Sequence, residues 1–356
     1  MSLLSCGGDV APSIDASNIN TSGKEPLAST GRNKHQEPLA SYNRQPSADS
    51  DQEPSALSKQ ELVNAQAIDW SDIAARFDGH KALQHIVAQT NFGPRSPSHP
   101  KVKAATLSYI EAYLKPLVTR IDRQSFSHRG LTGTNLRVQI AGSHGDAAER
   151  LLLGAHWDTR PHADRDADPT KRRLAVLGAN DGASGVAVML EIARVLQQQP
   201  ARSAVDLLFF DLEDMGQIDG LPFSIGARAF VDAHPEYRVA GGAIVDMVCD
   251  KRLRIPREGY SAAQTPEVLN AIWQSASRQH ASVFVDAPGV PIVDDHLPFL
   301  QAGIPVINLI HYPFPTSWHT TDDRVEHCSA TNLRQVGRTL LDFVYHHPNA
   351  PERPLE

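Results

Sequence analysis

The sequence is poor in cysteine, in clustered positive charge and in long apolar runs, and each shortage excludes a class of protein. Three cysteines, Cys6, Cys249 and Cys328, are too few for a disulfide scaffold or a cysteine-ligated zinc site, so any metal must be held by histidines and carboxylates. The charges sum to −7, from 34 basic and 41 acidic residues without a dense Lys/Arg block, which argues against a nucleic-acid partner. No run of about 18 apolar residues occurs, so no transmembrane segment is predicted.

The first 58 residues differ in composition from the rest of the chain. They are rich in Ser, Asn, Gln, Asp and Pro, and their single aromatic residue is Tyr42. Such a segment cannot bury enough apolar surface to offset its ordering entropy, which predicts a disordered tether before a catalytic domain at 59–356. Leu3-Leu4-Ser5-Cys6 resembles the end of a bacterial lipoprotein signal, which predicts export to the periplasm or a lipid anchor at Cys6. The alternative is a chance tail with an ordinary cysteine.

From about residue 60 the apolar pattern is that of a globular α/β protein. It predicts helices at 62–89 and 100–117, followed by strands at 135–140, 151–155, 204–210, 243–248 and 305–310. Further helices are predicted at 183–198, 226–233, 266–278, 295–302 and 330–346. Apolar strand runs separated by helices favour a single three-layer α/β/α domain with a central mixed, mostly parallel sheet.

Acidic residues and histidines follow the predicted strands. They lie in five stretches: His156-Trp157-Asp158, Asn180-Asp181-Gly182, Asp211-Leu212-Glu213-Asp214, Asp246, and Trp318-His319-Thr320. In open α/β sheets ligands bind at the carboxyl ends of the strands, so these side chains should meet in one crevice. Taken singly, each has an ordinary explanation as an acidic turn, a helix cap or a structural histidine. Their coincidence predicts a zinc site, with Asp158 orienting His156 and with one of the paired carboxylates moving protons.

The glycine-rich loop 178–185 around Asp181 has two readings. Its small residues let the backbone approach a bound ion just before a helix begins. A phosphate cradle is the alternative, but the glycine spacing differs from phosphate-binding motifs and the acid would repel phosphate.

Together these stretches resemble the zinc aminopeptidase superfamily, and within it the glutaminyl-peptide cyclotransferases (glutaminyl cyclases). The similarity runs from about residue 75 to the end. Five segments show the similarity: Gly154–Arg160, Gly178–Gly185, Phe209–Asp214, Val293–Leu300 and Pro313–Thr320. The first three are shared by the whole superfamily, and the last two are more typical of the cyclases. The resemblance implies a zinc exopeptidase-like fold and conversion of N-terminal glutamine to pyroglutamate with release of ammonia.

The resemblance also implies a role for each site residue. Zinc would be held by Asp181, Asp214 and His319, while Glu213 would be the acid/base. Asp294, helped by Asp246, would be the hydrogen-bonding carboxylate. The pocket for glutamine would be lined by Ile292, Phe314 and Trp318. In the two-zinc aminopeptidases the positions of His156 and Asp246 bind a second metal with Asp181 as the bridge, so the sequence allows one zinc or two.

Three positions depart from the animal cyclases. Asp214 stands where they have Glu, and Glu213-Asp214 followed by Gly216 resembles the bacterial branch. Asn308 replaces a histidine of their hydrogen-bond network, which puts that part of the network in doubt. Asp219 is nearest to the position of a pocket tryptophan, which leaves that wall of the pocket without an assignment.

Two other functions compete with the cyclase. An aminopeptidase would use the same Glu213 to deprotonate a metal-bound water, and two zinc ions would favour it. A catalytically inactive receptor for peptide N-termini would have no use for a general base beside the metal. Cys249 and Cys328 are expected to be free thiols, because sequence alone gives no distance that would support a disulfide.

Overall fold

The computed structural model describes residues 70–144 and 149–347. The predicted tether, the Cys6 anchor and the start of the first predicted helix therefore lie outside the described residues. Among the residues it describes, no helix has the length and apolar character needed to cross a membrane.

A six-stranded mixed sheet forms the centre of the fold. Its strands are β1 (Arg120–His128), β2 (Leu131–Ile140), β3 (Leu151–His156), β4 (Val205–Phe210), β5 (Gly241–Asp246) and β8 (Val306–Ile310), in the spatial order β1-β2-β4-β3-β5-β8. The four neighbouring strands β4, β3, β5 and β8 run parallel to one another. Strands β1 and β2 form a hairpin, and β2 pairs with β4 in the antiparallel direction. A separate parallel pair consists of β6 (Ile255–Arg257) and β7 (Phe284–Pro288).

Helices cover both faces of this sheet. They are α1 (Trp70–Ala74), α2 (Gly79–Phe92), α3 (Pro100–Leu114), α4 (Ala183–Gln198), α5 (Ile225–Ala233), α6 (Gly259–Gln264), α7 (Pro266–Arg278), α8 (His296–Gln301) and α9 (Ala330–His346). Alternation along β3 sends Leu151 and Leu153 into the larger core with α2, α4 and α9. Leu152 points the other way, into a core with α5 and α8. The three-layer α/β/α architecture predicted from the apolar runs is confirmed.

Helix α4 passes through the middle of the larger core and brings its first turn close to the ends of the strands. Thirteen of its sixteen residues are buried, so it is apolar on nearly all sides. A Cβ atom at Gly185 would lie 2.1 Å from the carbonyl oxygen of Val245 in β5. Only glycine allows the helix to pack this closely against β5. This close packing brings the loop that carries Asp181 near the end of β5.

The first predicted helix is wrong in one respect, because 62–89 is not one continuous helix within the described residues. The chain turns at Asp78, whose carboxylate accepts the backbone N–H groups of His80 and Lys81 and starts α2 separately from α1. Strand β1 was not predicted, since it is polar and none of its residues is fully buried. Strands β6 and β7 are short and partly exposed, and were also missed.

The prediction of free thiols is wrong. Cys249 and Cys328 form a disulfide, with their Cα atoms 4.6 Å apart. The two residues are 79 positions apart and meet because residues 249 to 251 pair with the segment before α9.

Candidate metal centre and active site

The carboxyl ends of the parallel strands place the predicted metal ligands side by side. His156 and Asp246 are the last residues of β3 and β5, which are neighbours in the sheet. Glu213 and Asp214 follow β4, and His319 lies in the segment after β8. Asp181 reaches the same point from the loop before α4. The crevice predicted from the strand ends is therefore present.

Two groups of three residues, sharing Asp181, could hold metal ions among the described residues. One consists of Asp181, Asp214 and His319, and the other of His156, Asp181 and Asp246; within each, the ligand atoms lie within 4.8 Å of one another. The His319 Nε2 atom is 3.2 Å from Asp214 Oδ1 and 3.6 Å from Asp181 Oδ2. The His156 Nε2 atom is 3.1 Å from Oδ1 of both Asp181 and Asp246. All five predicted ligand positions converge.

The loop that carries Asp181 is held by buried polar contacts. Asp323 accepts the backbone N–H groups of Asn180 and Asp181 at 2.8 and 3.0 Å. Gly182 has φ +98°, and a Cβ atom there would lie 2.3 Å from the carbonyl oxygen of Asp158, so the turn requires glycine. The fully buried Arg95 donates to the carbonyl oxygens of Trp157, Leu177 and Gly178, at 2.8, 2.9 and 2.7 Å.

Asp158 connects the histidine to the paired acids. Its two carboxylate oxygens accept the backbone N–H groups of Glu213 and Asp214 at 3.1 and 3.2 Å. Its Oδ1 atom also lies 3.5 Å from Nδ1 of His156. One buried carboxylate therefore fixes the segment after β4 and faces the ring of His156 on the side away from Asp181.

The donor set fits zinc. Each group supplies one imidazole and two carboxylates, which are ligands that zinc accepts while keeping a position open for substrate. Burial raises the pKa of Asp214 to about 7 and that of Asp246 to about 8, because carboxylates crowded away from water resist ionisation. Burial lowers the pKa of His319 to about 3, which keeps the ring in the neutral form that binds metal. The Oδ2 atom of Asp214 is buried and has no hydrogen-bond partner among the residues that the structure describes.

His156 has a different electrostatic environment from His319. Burial alone would lower the pKa of His156, but the carboxylates of Asp158, Asp181 and Asp246, at 3.5, 3.1 and 3.1 Å from the ring nitrogens, outweigh this and raise the pKa well above its usual range. The ring can therefore hold the surrounding carboxylates as a cation, or ligate a second metal as a neutral base.

Glu213 is placed for proton transfer. It is buried, lines the cavity beside the metal ligands, and its carboxylate makes no hydrogen bond or ion pair with another described residue. Burial raises the pKa of Glu213 well above its usual range, and the charge of Asp294 adds to this effect. A buried carboxyl group of raised pKa facing a cavity is suited to accept and return a proton.

Asn308 forms a hydrogen bond with Asp294, in the part of the network that the sequence left in doubt. Its side-chain amide donates to Oδ2 of Asp294 at 2.7 Å, and its backbone N–H donates to Oγ of Ser261 at 3.0 Å. Asp294 is buried and lines the cavity together with Asp246 and Glu213. The replacement of histidine by asparagine therefore preserves a hydrogen-bond donor for Asp294.

The cavity above these carboxylates has a volume of about 290 Å³ and an aromatic wall. Phe314 lies against Trp318 with ring centroids 4.4 Å apart, and Trp318 stacks on His319 at 4.0 Å. Ile292, predicted as a pocket residue together with Phe314 and Trp318, lines the cavity as well.

Several cavity and supporting residues were not found from the sequence. Phe223 and Gln217 line the cavity, whereas Asp219, the position nearest to the expected tryptophan, does not. Arg95 and Asp323 support the site from loops that carry no apolar periodicity. The pairs Gly93-Pro94 and Asp322-Asp323 mark turns in the sequence, but they do not predict which turn packs under the metal ligands.

Comparison with known proteins decides the family. Residues 135–344, more than half of the chain, match the sequence model of peptidase family M28. The chain belongs to peptidase family M28. This region contains all the residues predicted as metal ligands, as the acid/base and as pocket walls.

The chain is similar to solved structures of a glutaminyl cyclase and of a leucine aminopeptidase precursor. A glutaminyl cyclase from Bacteroides thetaiotaomicron bound to N-acetylhistamine is 32% identical, with a TM-score of 0.71 over 76% of this chain and 98% of that one. A leucine aminopeptidase precursor from the same species gives the same identity, TM-score and coverage. The predicted zinc exopeptidase-like fold is confirmed.

The curated relatives also include glutaminyl-peptide cyclotransferases, at lower sequence identity. The glutaminyl-peptide cyclotransferase of Drosophila melanogaster is 26% identical over 312 residues, which cover 78% of this chain and 83% of that protein. The cyclotransferase of Gloydius blomhoffii is 26% identical over 239 residues, and the match spans 57% of this chain and 63% of that protein. The resemblance to glutaminyl cyclases noted in the sequence is confirmed.

Proposed function

We propose that this chain is a zinc-dependent glutaminyl-peptide cyclotransferase that converts N-terminal glutamine of peptides or proteins to pyroglutamate and releases ammonia. The observation that carries the proposal is the position of Glu213, an unpaired buried carboxyl group between a set of zinc-compatible ligands and an aromatic cavity. The similarity to bacterial glutaminyl cyclases supports it.

One zinc ion would be held by Asp181, Asp214 and His319. When bound, zinc would polarise the side-chain carbonyl of the substrate glutamine. His156 would then hold Asp246, to which its Nε2 atom is hydrogen-bonded at 3.1 Å, while Asp181 lies at the same distance from this atom.

Glu213 would take a proton from the attacking α-amine and return it to the leaving nitrogen as ammonia departs. Asp294, fixed by Asn308 and helped by Asp246, would accept hydrogen bonds from the reacting nitrogens. Because both reacting groups belong to one residue, folding the glutamine into a reactive shape is the main task of the cavity. Trp318, Phe314 and Ile292 would provide the apolar walls for this.

An aminopeptidase is the second candidate, and the group formed by His156, Asp181 and Asp246 favours it. Two adjacent ligand sets sharing one carboxylate would suit a pair of metal ions that activates water. In that case Glu213 would take its proton from water and the peptide bond after the first residue would break.

A side-by-side assay separates the two. The full-length zinc-loaded protein is offered peptides beginning with Gln and with Leu, and ammonia and free amino acids are measured. The cyclase releases ammonia from the Gln peptide and leaves the Leu peptide intact. Free leucine without ammonia would overturn the proposal.

Chelator treatment should abolish the activity and zinc should restore it. Metal analysis should give one zinc per chain rather than two.

The disulfide supports a location outside the cytoplasm, since structural disulfides persist in oxidising compartments. A lipid anchor at Cys6, with residues 1–58 as a tether, would hold the catalytic domain at a membrane surface. Metabolic labelling with a fatty-acid analogue tests this, with the Cys6→Ser variant as the control.

A further inference from the structure

An exposed arginine, Arg165, lies at the mouth of the cavity. Arg165 lines the cavity but is exposed, whereas the ligands and Glu213 that line the same cavity are buried. The exposed lining residues mark the opening, which Arg165 shares with Val290 and Val293, 40% and 53% exposed. A peptide whose first residue enters the cavity must pass its second residue through this opening.

The position of Arg165 is fixed by two contacts. Its backbone N–H donates to the carbonyl oxygen of His319 at 3.2 Å, and its guanidinium lies 5.0 Å from the ring centroid of Trp318. A guanidinium held over an aromatic face keeps its N–H groups available at its edge. Arg165 is therefore oriented by the wall that would contact the glutamine.

The other cation of the cavity is already neutralised. Arg160 donates to both carboxylate oxygens of Asp164, at 2.7 and 2.9 Å, and to the carbonyl oxygen of Gly216 at 2.9 Å. Among the described residues the Arg165 side chain has no hydrogen-bond or ion-pair partner. The acidic residues that line the cavity, Asp181, Glu213, Asp246 and Asp294, are buried.

From this arrangement we infer that Arg165 sets the preference for the second substrate residue by binding a carboxylate there. This inference rests on the proposed cyclase function, and it makes N-terminal glutamine followed by an acidic residue the preferred substrate, with neutral second residues still accepted. The carboxylate of the side chain and that of a free dipeptide C-terminus share this chemistry, and both are tested.

The experiment compares kcat/KM of the full-length zinc-loaded protein on Gln-Glu-Ala-amide, Gln-Ala-Ala-amide and Gln-Lys-Ala-amide. An exposed charge pair changes affinity by up to about fivefold, and attraction of Glu and repulsion of Lys add, so we expect a Glu-to-Lys ratio of about 5 to 20 at low salt. The difference should lie mainly in KM, because the contact is the same in substrate and transition state. At about 0.5 M salt the ratio should fall below about 2, since screening is strong there. Gln-Ala with a free C-terminus, compared with its amide, reports on the main-chain carboxylate.

Variants assign the preference to this side chain. Arg165→Gln should reduce the Glu-to-Lys ratio to near 1, and Arg165→Lys should retain most of it. Lys171→Gln removes the same charge from an exposed position in the same loop that does not line the cavity, and it should keep the wild-type ratio.

Two results would overturn the inference. One is equal kcat/KM for the three peptides in the wild type, and the other is a ratio that persists in Arg165→Gln. If the neutral peptide releases no ammonia, the proposed function itself fails and this inference falls with it. Thermal unfolding of each variant checks that the fold is retained.

Discussion

Glu258 is predicted to anchor one wall of the cavity through a buried network. Its Oε1 atom accepts the backbone N–H groups of Tyr260 and Ile292, both at 2.9 Å. Its Oε2 atom accepts the hydroxyl and backbone N–H of Ser261, at 2.6 and 2.8 Å, and lies 3.2 Å from Nε2 of His296. Because Ser261 in turn accepts the N–H of Asn308, Glu258 supports both the pocket wall and the partner of Asp294.

The pKa of the Glu258 carboxyl group gives the size of its contribution to the free energy of unfolding. Burial alone would raise the pKa, but His296 and the donors of Ser261 lower it from 4.5 to about 2. Such a shift contributes about 2–3 kcal/mol to the free energy of unfolding at pH 7. The contribution is present above pH 4.5 and is lost as the pH falls toward 2, with roughly half remaining at pH 3.5. Glu258→Gln should therefore lower the free energy of unfolding by about this amount at pH 7.

Denaturant unfolding of both proteins at pH 7, 5 and 3.5 measures the effect. The difference between wild type and Glu258→Gln should narrow as the pH falls, and kcat/KM should decrease because Ile292 and Asn308 lose their support. Glu236→Gln is the matched control, since Glu236 is exposed and should change neither quantity. Equal stability of Glu258→Gln and wild type at pH 7, or a difference that does not narrow in acid, would refute the reasoning.

Three further predictions concern proton transfer, the pocket wall and the disulfide. Glu213→Gln should lower kcat by about 10²–10⁴-fold with zinc content unchanged, as single-turnover assays and metal analysis will show, and a loss below tenfold would remove Glu213 as the acid/base. Trp318→Ala should raise KM for Gln peptides roughly tenfold by deleting an apolar wall, and an unchanged KM would place the glutamine elsewhere. Replacing Cys249 and Cys328 by Ser should lower the free energy of unfolding by about 2–4 kcal/mol because a loop of 79 residues is no longer closed, and equal denaturation midpoints of the variant and the oxidised wild type would contradict this.

Much of the fold was predictable because the central strands are apolar on both sides. The predicted helices at 183–198, 266–278 and 330–346 agree with α4, α7 and α9 at both ends. Strand β1 could not be predicted in this way, since an edge strand that buries no residue fully carries no apolar alternation.

The site divides along the same line. His156, Asp214 and Asp246 were found because they lie at or just beyond the carboxyl ends of apolar strands, where ligands bind in parallel sheets. Arg165, Phe223 and Asp323 come from irregular segments, where the sequence does not predict which side chain turns toward the cavity. The disulfide was missed for a related reason, because the approach of Cys249 to Cys328 depends on the pairing of two loops.

The product formed from a single peptide, Gln-Leu-Ala-amide, tests the central claim most directly. Mass spectrometry after incubation with the zinc-loaded protein reports both candidate reactions at once. Cyclisation predicts one product that keeps all three residues and has lost one ammonia. Free glutamine together with Leu-Ala-amide would contradict the cyclase and establish an aminopeptidase.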